Sequence, residues 1–302
     1  MRSRRVGAPA KLNLGLRVCG RRRDGYHALE SVFVPLDLAD EIGLEVEDAD
    51  EAAVELALAG EAEGVPGGEQ NLAVGAGGAF GGAAGLRCRV RIRLDKRIPV
   101  AAGLGGGSSD AGAVLRTLSQ LFPDAVQAQV LADLALGLGA DVPFFLDPRP
   151  ARVRGVGEQL EPLSGVPALA VLLVGPGLPL ATARVYEAFD ALQPAPASTP
   201  AASRPPAFAD VPWRAAPGPE FAAALARLLE NDLEPAAVRL CPPIARLRQR
   251  LRAAGALAVG LSGSGPTLFG VFADAARAEA GRVRAALEPP SWARVAATLE
   301  SR

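Results

Sequence analysis

The segment that most restricts what this chain can become is Pro99-Val-Ala-Ala-Gly103-Leu104-Gly105-Gly106-Gly107-Ser108-Ser109-Asp110, because of what stands on either side of it. Before it, Arg87, Arg89, Arg91 and Arg93 alternate with Cys88, Val90, Ile92 and Leu94, the period of a strand with one basic and one apolar face. After it, Ala111, Val114, Leu115, Leu118, Leu121 and Phe122 recur at helical spacing, with Ser108, Ser109 or Asp110 available as the cap. Glycines without Cβ let successive backbone N–H groups converge on an anion, and a helix start adds the positive end of its dipole. The plain alternative for a Gly/Ser run is a flexible linker, yet linkers rarely join two elements so tightly. Strand, loop and helix together therefore read as a phosphate cradle. No lysine follows the glycines as a Walker A loop requires, and Ser108 stands where G-x-G-x-x-G needs its last glycine, which argues against a nicotinamide-dependent dehydrogenase.

Composition narrows the partners. With 32 Lys+Arg against 33 Asp+Glu and a net charge of -1, no overall field draws the chain onto nucleic acid or an anionic membrane, so a phosphate must be held locally. The four arginines before the glycine loop read accordingly as a solvated strand face. Hydrophobic content of 49% with 22% charged residues is that of a globular protein. His27 is the only histidine, and Cys19, Cys88 and Cys241 form no C-x-x-C, which disfavours histidine-rich or thiolate metal sites and a disulfide frame. A reducing, cytoplasmic setting follows. The basic start, Met1 to Arg5, runs into Lys11 and Asn13 before an apolar signal core can form, and Pro167 to Ala183 is broken by Gly175, Pro176, Gly177 and Pro179, so no membrane association is expected.

The rest of the chain reads as alternating strands and helices in two domains, residues 1–158 and 159–302, with the boundary near Arg152 to Leu163. Leu12, Leu14, Leu16 and Val18 alternate with polar positions, and Leu29, Val32, Val34 and Leu36 follow a charged turn, which predicts a β-hairpin. A helix is predicted over Ala125–Leu136 with Val126, Val130, Leu131 and Leu134 inward. Leu169–Val174 reads as a buried strand, Phe221–Leu229 and Ile244–Leu251 as helices, and Leu257–Leu261 with Thr267–Phe272 as a strand pair. Gln193 to Pro219, rich in Pro, Ala and Ser, reads as a loop to which no function is assigned.

Three further places hold candidate chemistry. Lys11 and Asn13 share the polar face of the first strand; alone, Lys11 reads as a surface lysine. Asp141 sits in Gly139-Ala-Asp141-Val-Pro143-Phe-Phe145, where it reads as a turn or cap residue unless a cation is near to keep it ionised. Leu261-Ser-Gly263-Ser-Gly265-Pro-Thr267 alone is a tight turn.

Taken together these segments resemble a known family. Ala8-Pro-Ala-Lys11-Leu-Asn13-Leu-Gly-Leu16, Pro99 to Asp110 and Leu261 to Thr267 look like the three motifs of the GHMP small-molecule kinases, in order and over nearly the whole chain. Gly20-Arg-Arg-Arg-Asp24-Gly-Tyr26-His27 and the Asp141 segment resemble the branch that phosphorylates a cytidine-diphosphate ester of methylerythritol. The resemblance implies an α+β, two-domain GHMP fold: an N-terminal ATP-binding domain of the ribosomal protein S5 domain 2-like type and a C-terminal α+β substrate-binding domain. It implies ATP and Mg²⁺, with Lys11 and Asp141 as the catalytic pair. Pro99, Gly103, Leu104, Gly105, Gly106, Gly107, Ser108 and Ser109 would wrap the nucleotide phosphates, Ser108 or Ser109 reaching a phosphate oxygen or Mg²⁺, while Asn71 and Lys96 would lie near the adenine. Asn13 and Asp141 would meet the substrate alcohol, Tyr26 and His27 the cytosine ring, and Tyr186, with Thr182 nearby, would close the ring from its other side. Gly75, Gly77 and Gly78 depart from the family's sturdier helix after Asn71, which points to a looser adenine wall. A kinase for homoserine, mevalonate or a sugar, and a catalytically silent homologue, stay open as alternatives. So does the oligomeric state, monomer or homodimer.

Overall fold

A computed structural model describes residues 1–193, 211–213 and 218–301. Most of the Pro/Ala-rich stretch, including 194–210 and 214–217, lies outside the described residues. Among the described residues no helix is long and apolar enough to cross a membrane.

The chain opens with two long strands, β1 (Arg2–Arg21) and β2 (His27–Asp48), joined by the predicted charged turn, where Arg22 N–H donates to Tyr26 O at 2.7 Å. Contacts divide the molecule into two compact units interleaved along the chain, where the sequence suggested one cut after residue 158. The first comprises Met1–Ala10, Leu38–Val100 and Gly105–Pro148; the second comprises Lys11–Asp37, Ala101–Leu104 and Arg149–Arg302. The hairpin strands are long enough to contribute to both.

In the first unit β3 (Ala53–Gly60) runs parallel to β4 (Cys88–Lys96), from Ala53 opposite Arg89 to Gly60 opposite Lys96. The far half of β2 runs antiparallel to β4, from Glu41 opposite Asp95 to Asp48 opposite Cys88. Alternation does what period two demands: Cys88, Val90, Ile92 and Leu94 are buried with Ile42, Leu44 and Val46. On the other face Arg91 meets Glu47 at 2.8 Å and Glu55 at 3.2 Å, so the basic stripe is a solvated, ion-paired surface. Helices α1 (Leu72–Ala83), α2 (Gly106–Leu121) and α3 (Ala128–Leu138) cover the apolar side. Two glycines of α1 pack closely, a Cβ on Gly77 lying 3.1 Å from a methyl of Val54 in β3 and one on Gly75 3.2 Å from a methyl of Leu138, whereas a Cβ on Gly78 would meet nothing within 4 Å. Helix α3 starts three residues later than predicted. It leaves Val130 40% exposed and buries Ala135 in its place.

In the second unit β5 (Ala151–Gly155) pairs with the near half of β2, Leu29 opposite Gly155 and Phe33 opposite Ala151, and β6 (Gln159–Pro162) pairs with β5. A second, antiparallel sheet has the order β10 (Trp292–Ala297), β7 (Ala170–Gly175), β9 (Leu268–Phe272), β8 (Ala258–Leu261). Helices α4 (Thr182–Leu192), α5 (Pro219–Leu228), α6 (Glu234–Leu240), α7 (Pro243–Ala253) and α8 (Ala275–Ala285) complete it. Leu172, Val174, Ile244, Leu247, Leu251 and Phe272 form the core that the apolar runs predicted.

Candidate active site

The glycine loop delivers the start of α2 with its backbone unobstructed. Gly105, in the left-handed region at φ 73°, is the N-cap, and no side chain caps the helix. This corrects the expected cap: Ser108, Ser109 and Asp110 lie inside the first turn. Helix N–H groups of a first turn have no intrahelical acceptor, and without a capping side chain they suit an anion. Gly107 is exposed and Ser108 half-buried, as is Pro99 at the head of the loop. Ser109 is fully buried and its hydroxyl donates to Pro9 O at 2.7 Å.

Lys96 and Asn71 both make buried hydrogen bonds within the fold. Lys96 Nζ donates to Asp40 and, at 2.8 Å, to Asp110 Oδ2, and lies where a Cβ on Gly106 would be 3.4 Å away. Asp40 Oδ1 in turn accepts from the N–H groups of Arg97, at 2.5 Å, and Ile98, at 2.8 Å. Burial pushes the Asp110 carboxyl up to about 7 against the attraction of Lys96, and Asp40 adds repulsion. Burial opposes the Lys96 ammonium, but Asp110 and Asp40 outweigh it and its pKa is raised. Asn71 caps α1, its Oδ1 accepting from Ala73 N–H at 2.9 Å while its Nδ2 donates to Pro66 O at 2.9 Å.

Asp141 stands in the first unit at the head of a 3₁₀ turn, Val142–Leu146, half-buried, and its carboxylate does not cap that turn. The turn is anchored on α2. Phe144 and Phe145 are buried and meet edge to face at 5.1 Å, Gly112 of α2 leaves no room for a Cβ beside Phe145, and Arg116 donates to Phe145 O at 3.1 Å. One helix thus carries the uncapped glycine turn at its start and supports the Asp141 turn along its side.

The second unit gathers the other polar candidates. Lys11 is 4% exposed, which overturns the surface reading; its Nζ donates to Asn13 Oδ1 at 2.6 Å and lies 4.5 Å over the Phe33 ring. Asn13 Nδ2 donates to Ser31 Oγ at 3.1 Å, and Ser31 Oγ donates to Gly15 O at 2.6 Å. The Leu261–Thr267 segment is more than a turn, because a Cβ on Gly263 would lie 3.3 Å from Asn13 Oδ1 and 3.7 Å from Lys11 Nζ. Asn231 fixes that turn by donating to Leu261 O and Gly263 O at 2.9 and 2.8 Å. Ser262 Oγ donates to Gly103 O at 3.1 Å, Lys11 N–H donates to Leu104 O at 2.9 Å, and Thr182 Oγ1 lies 2.9 Å from Ser264 Oγ. The first and third motifs, far apart in sequence, therefore converge on Lys11.

Tyr26 is 67% exposed in the hairpin turn. His27 Nε2 lies 2.7 Å from Asp190 Oδ1, and Tyr186 stacks on the imidazole with centroids 4.9 Å apart. That is a single stacking separation, so Tyr186 backs His27 and no base fits between the two rings. The open aromatic face is that of Tyr26. Ser31, Phe33, Asn231 and Asp190 were missed in the sequence. Only Asp190 carried a local sign, four residues after Tyr186 on a helix.

Family models described as GHMP kinases N terminal domain and GHMP kinases C terminal match residues 71–147 and 218–288. The chain is 43% identical over 297 residues to a Paracoccus denitrificans protein named 4-diphosphocytidyl-2-C-methyl-D-erythritol kinase, covering 96% of this chain and 94% of that one. It is 41% identical over 292 residues to a Granulibacter bethesdensis protein of the same name, covering 94% and 91%. A crystal structure of 4-(cytidine 5'-diphospho)-2C-methyl-D-erythritol kinase superposes with a TM-score of 0.74 at 40% identity, covering 97% of this chain and 99% of the other. Motifs, fold and relatives agree, and the chain belongs to the 4-diphosphocytidyl-2-C-methyl-D-erythritol kinase family of the GHMP kinases.

Proposed function

We propose that this kinase transfers the γ-phosphoryl group of ATP to the tertiary 2-hydroxyl of 4-diphosphocytidyl-2-C-methyl-D-erythritol, a step of non-mevalonate isoprenoid precursor synthesis. The observation that carries the reading is the buried Lys11–Asn13 pair set against the Gly263 turn, in a chain 43% identical to a protein of that name. Phosphoryl transfer asks for positioning and charge neutralisation more than covalent chemistry. Asp141 takes the proton of the alcohol as it attacks, Lys11 steadies the charge that develops, and Asn13 orients the hydroxyl. The loop from Gly103 to Ser108 receives the phosphates through its backbone N–H groups. Ser108 would meet a Mg²⁺ ion carried by the nucleotide phosphates. That ion would neutralise the β- and γ-oxygens. Tyr26 offers its face to the cytosine and His27 addresses its polar edge, base stacking on an aromatic ring contributing about 1 to 3 kcal/mol.

The test is ADP release. It should depend on the cytidine-diphosphate ester, be absent with homoserine, mevalonate or sugars, and be inhibited by CDP. Release driven equally by homoserine or mevalonate, or indifferent to CDP, would overturn the reading.

A further inference from the structure

Tyr186, Phe189 and Asp190 stand at i, i+3 and i+4 of α4, so they share one helix face, and all three touch the same imidazole. Tyr186 lies nearly parallel to His27, at 20°, Phe189 meets it edge-on at 86° with centroids 6.1 Å apart, and Asp190 Oδ1 sits 2.7 Å from Nε2. Arg21 approaches the other carboxylate oxygen at 3.7 Å. The His27 side chain is 10% exposed. Its plane, its rotation within that plane and one of its nitrogens are thus fixed by a single helix face.

The chemistry of the fixed nitrogen decides that of the other. A carboxylate only accepts hydrogen bonds, so Nε2 carries the proton, and in the neutral ring Nδ1 is then an acceptor. Among the described residues His27 makes no other side-chain hydrogen bond, which leaves that lone pair for a ligand. An exocyclic amine would donate to it; a carbonyl in the same place would set two acceptors against each other.

We infer that Asp190 is a positioning residue that sets the tautomer of His27 and so makes this chain prefer an amino-bearing pyrimidine over its carbonyl counterpart. The inference rests on the proposed function, which places a base beside Tyr26 and His27.

His27 being the only histidine, protein labelled with ¹⁵N-histidine gives one pair of ring-nitrogen signals. In its neutral form the wild-type ring should show a protonated Nε2 and a bare Nδ1, and Asp190→Ala should let the Nδ1–H form appear. In the kinetic arm, the ratio of kcat/KM for the cytosine ester over the matching uracil ester should fall about tenfold in Asp190→Ala, through KM rather than kcat. Asp190→Asn, whose amide oxygen can still accept from Nε2, should retain most of the ratio. A wild-type Nδ1–H form, or an unchanged ratio in Asp190→Ala, would overturn the assignment of Asp190. A wild type that ignores the cytosine ester would overturn the proposed function and the selectivity with it, while the nitrogen spectrum would still report the tautomer.

Discussion

Lys96 and Lys11 are each 4% exposed, and they are held in unlike ways. Lys96 is clamped by the carboxylates of Asp40 and Asp110 directly beneath the first residue of α2. Lys11 meets the amide oxygen of Asn13 and the face of Phe33, beside a glycine turn brought from the far end of the chain. Burial alone therefore does not say what a lysine does. An ammonium between two carboxylates ties the end of β4 to the start of α2. In the proposed function the other ammonium, next to a turn without side-chain bulk, meets a ligand's charge.

That contrast can be broken by exchanging the lysines for methionine. Lys96→Met leaves two buried carboxylates facing one another, so it should cost about 3 to 5 kcal/mol of folding stability by urea denaturation. A loss below about 1 kcal/mol would mean that the cluster does not hold the loop. Lys11→Met should lower kcat by about 10²- to 10³-fold while the urea midpoint stays close to wild type. Were its main effect on stability, the two lysines would be alike and the contrast would fail.

A smaller effect sharpens the first half of the comparison. With the folded-state pKa of Asp110 raised to about 7, the folded protein keeps a proton that the unfolded chain has lost between roughly pH 4 and 7. Through that window the unfolded state binds fewer protons, so this group's contribution makes stability fall as pH rises. Asp110→Asn should flatten the slope between about pH 5 and 7.5 in urea titrations; an unchanged slope would show that Asp110 stays ionised throughout.

Much of the architecture was legible because it is written in period. Cys88 to Leu94, the helix after the glycine loop, and Leu169 to Val174 each bury the stripe that their spacing announces. Motifs that had to be read together, Lys11, Asn13 and the Gly263 turn, are brought side by side by the fold. What escaped was the use to which polar groups are put. Lys96 is held by Asp110 and Asp40, 14 and 56 positions away, while Asn71 caps its own helix and reaches Pro66 five positions back. Asn231 braces a turn 30 to 32 positions away, and no local pattern announces such a partner. The cap of α2 was misplaced because serines and aspartate are good caps in general, whereas here one serine is buried against Pro9 and the aspartate against Lys96.

The central claim, that Asp141 serves as the base for a substrate alcohol, is met most directly by Asp141→Asn, assayed with ATP and the cytidine-diphosphate ester at saturation alongside nucleotide affinity by calorimetry. The account predicts a fall in kcat of at least about 10²-fold with ATP affinity within about threefold of wild type. A variant that turns over at close to the wild-type rate would contradict it.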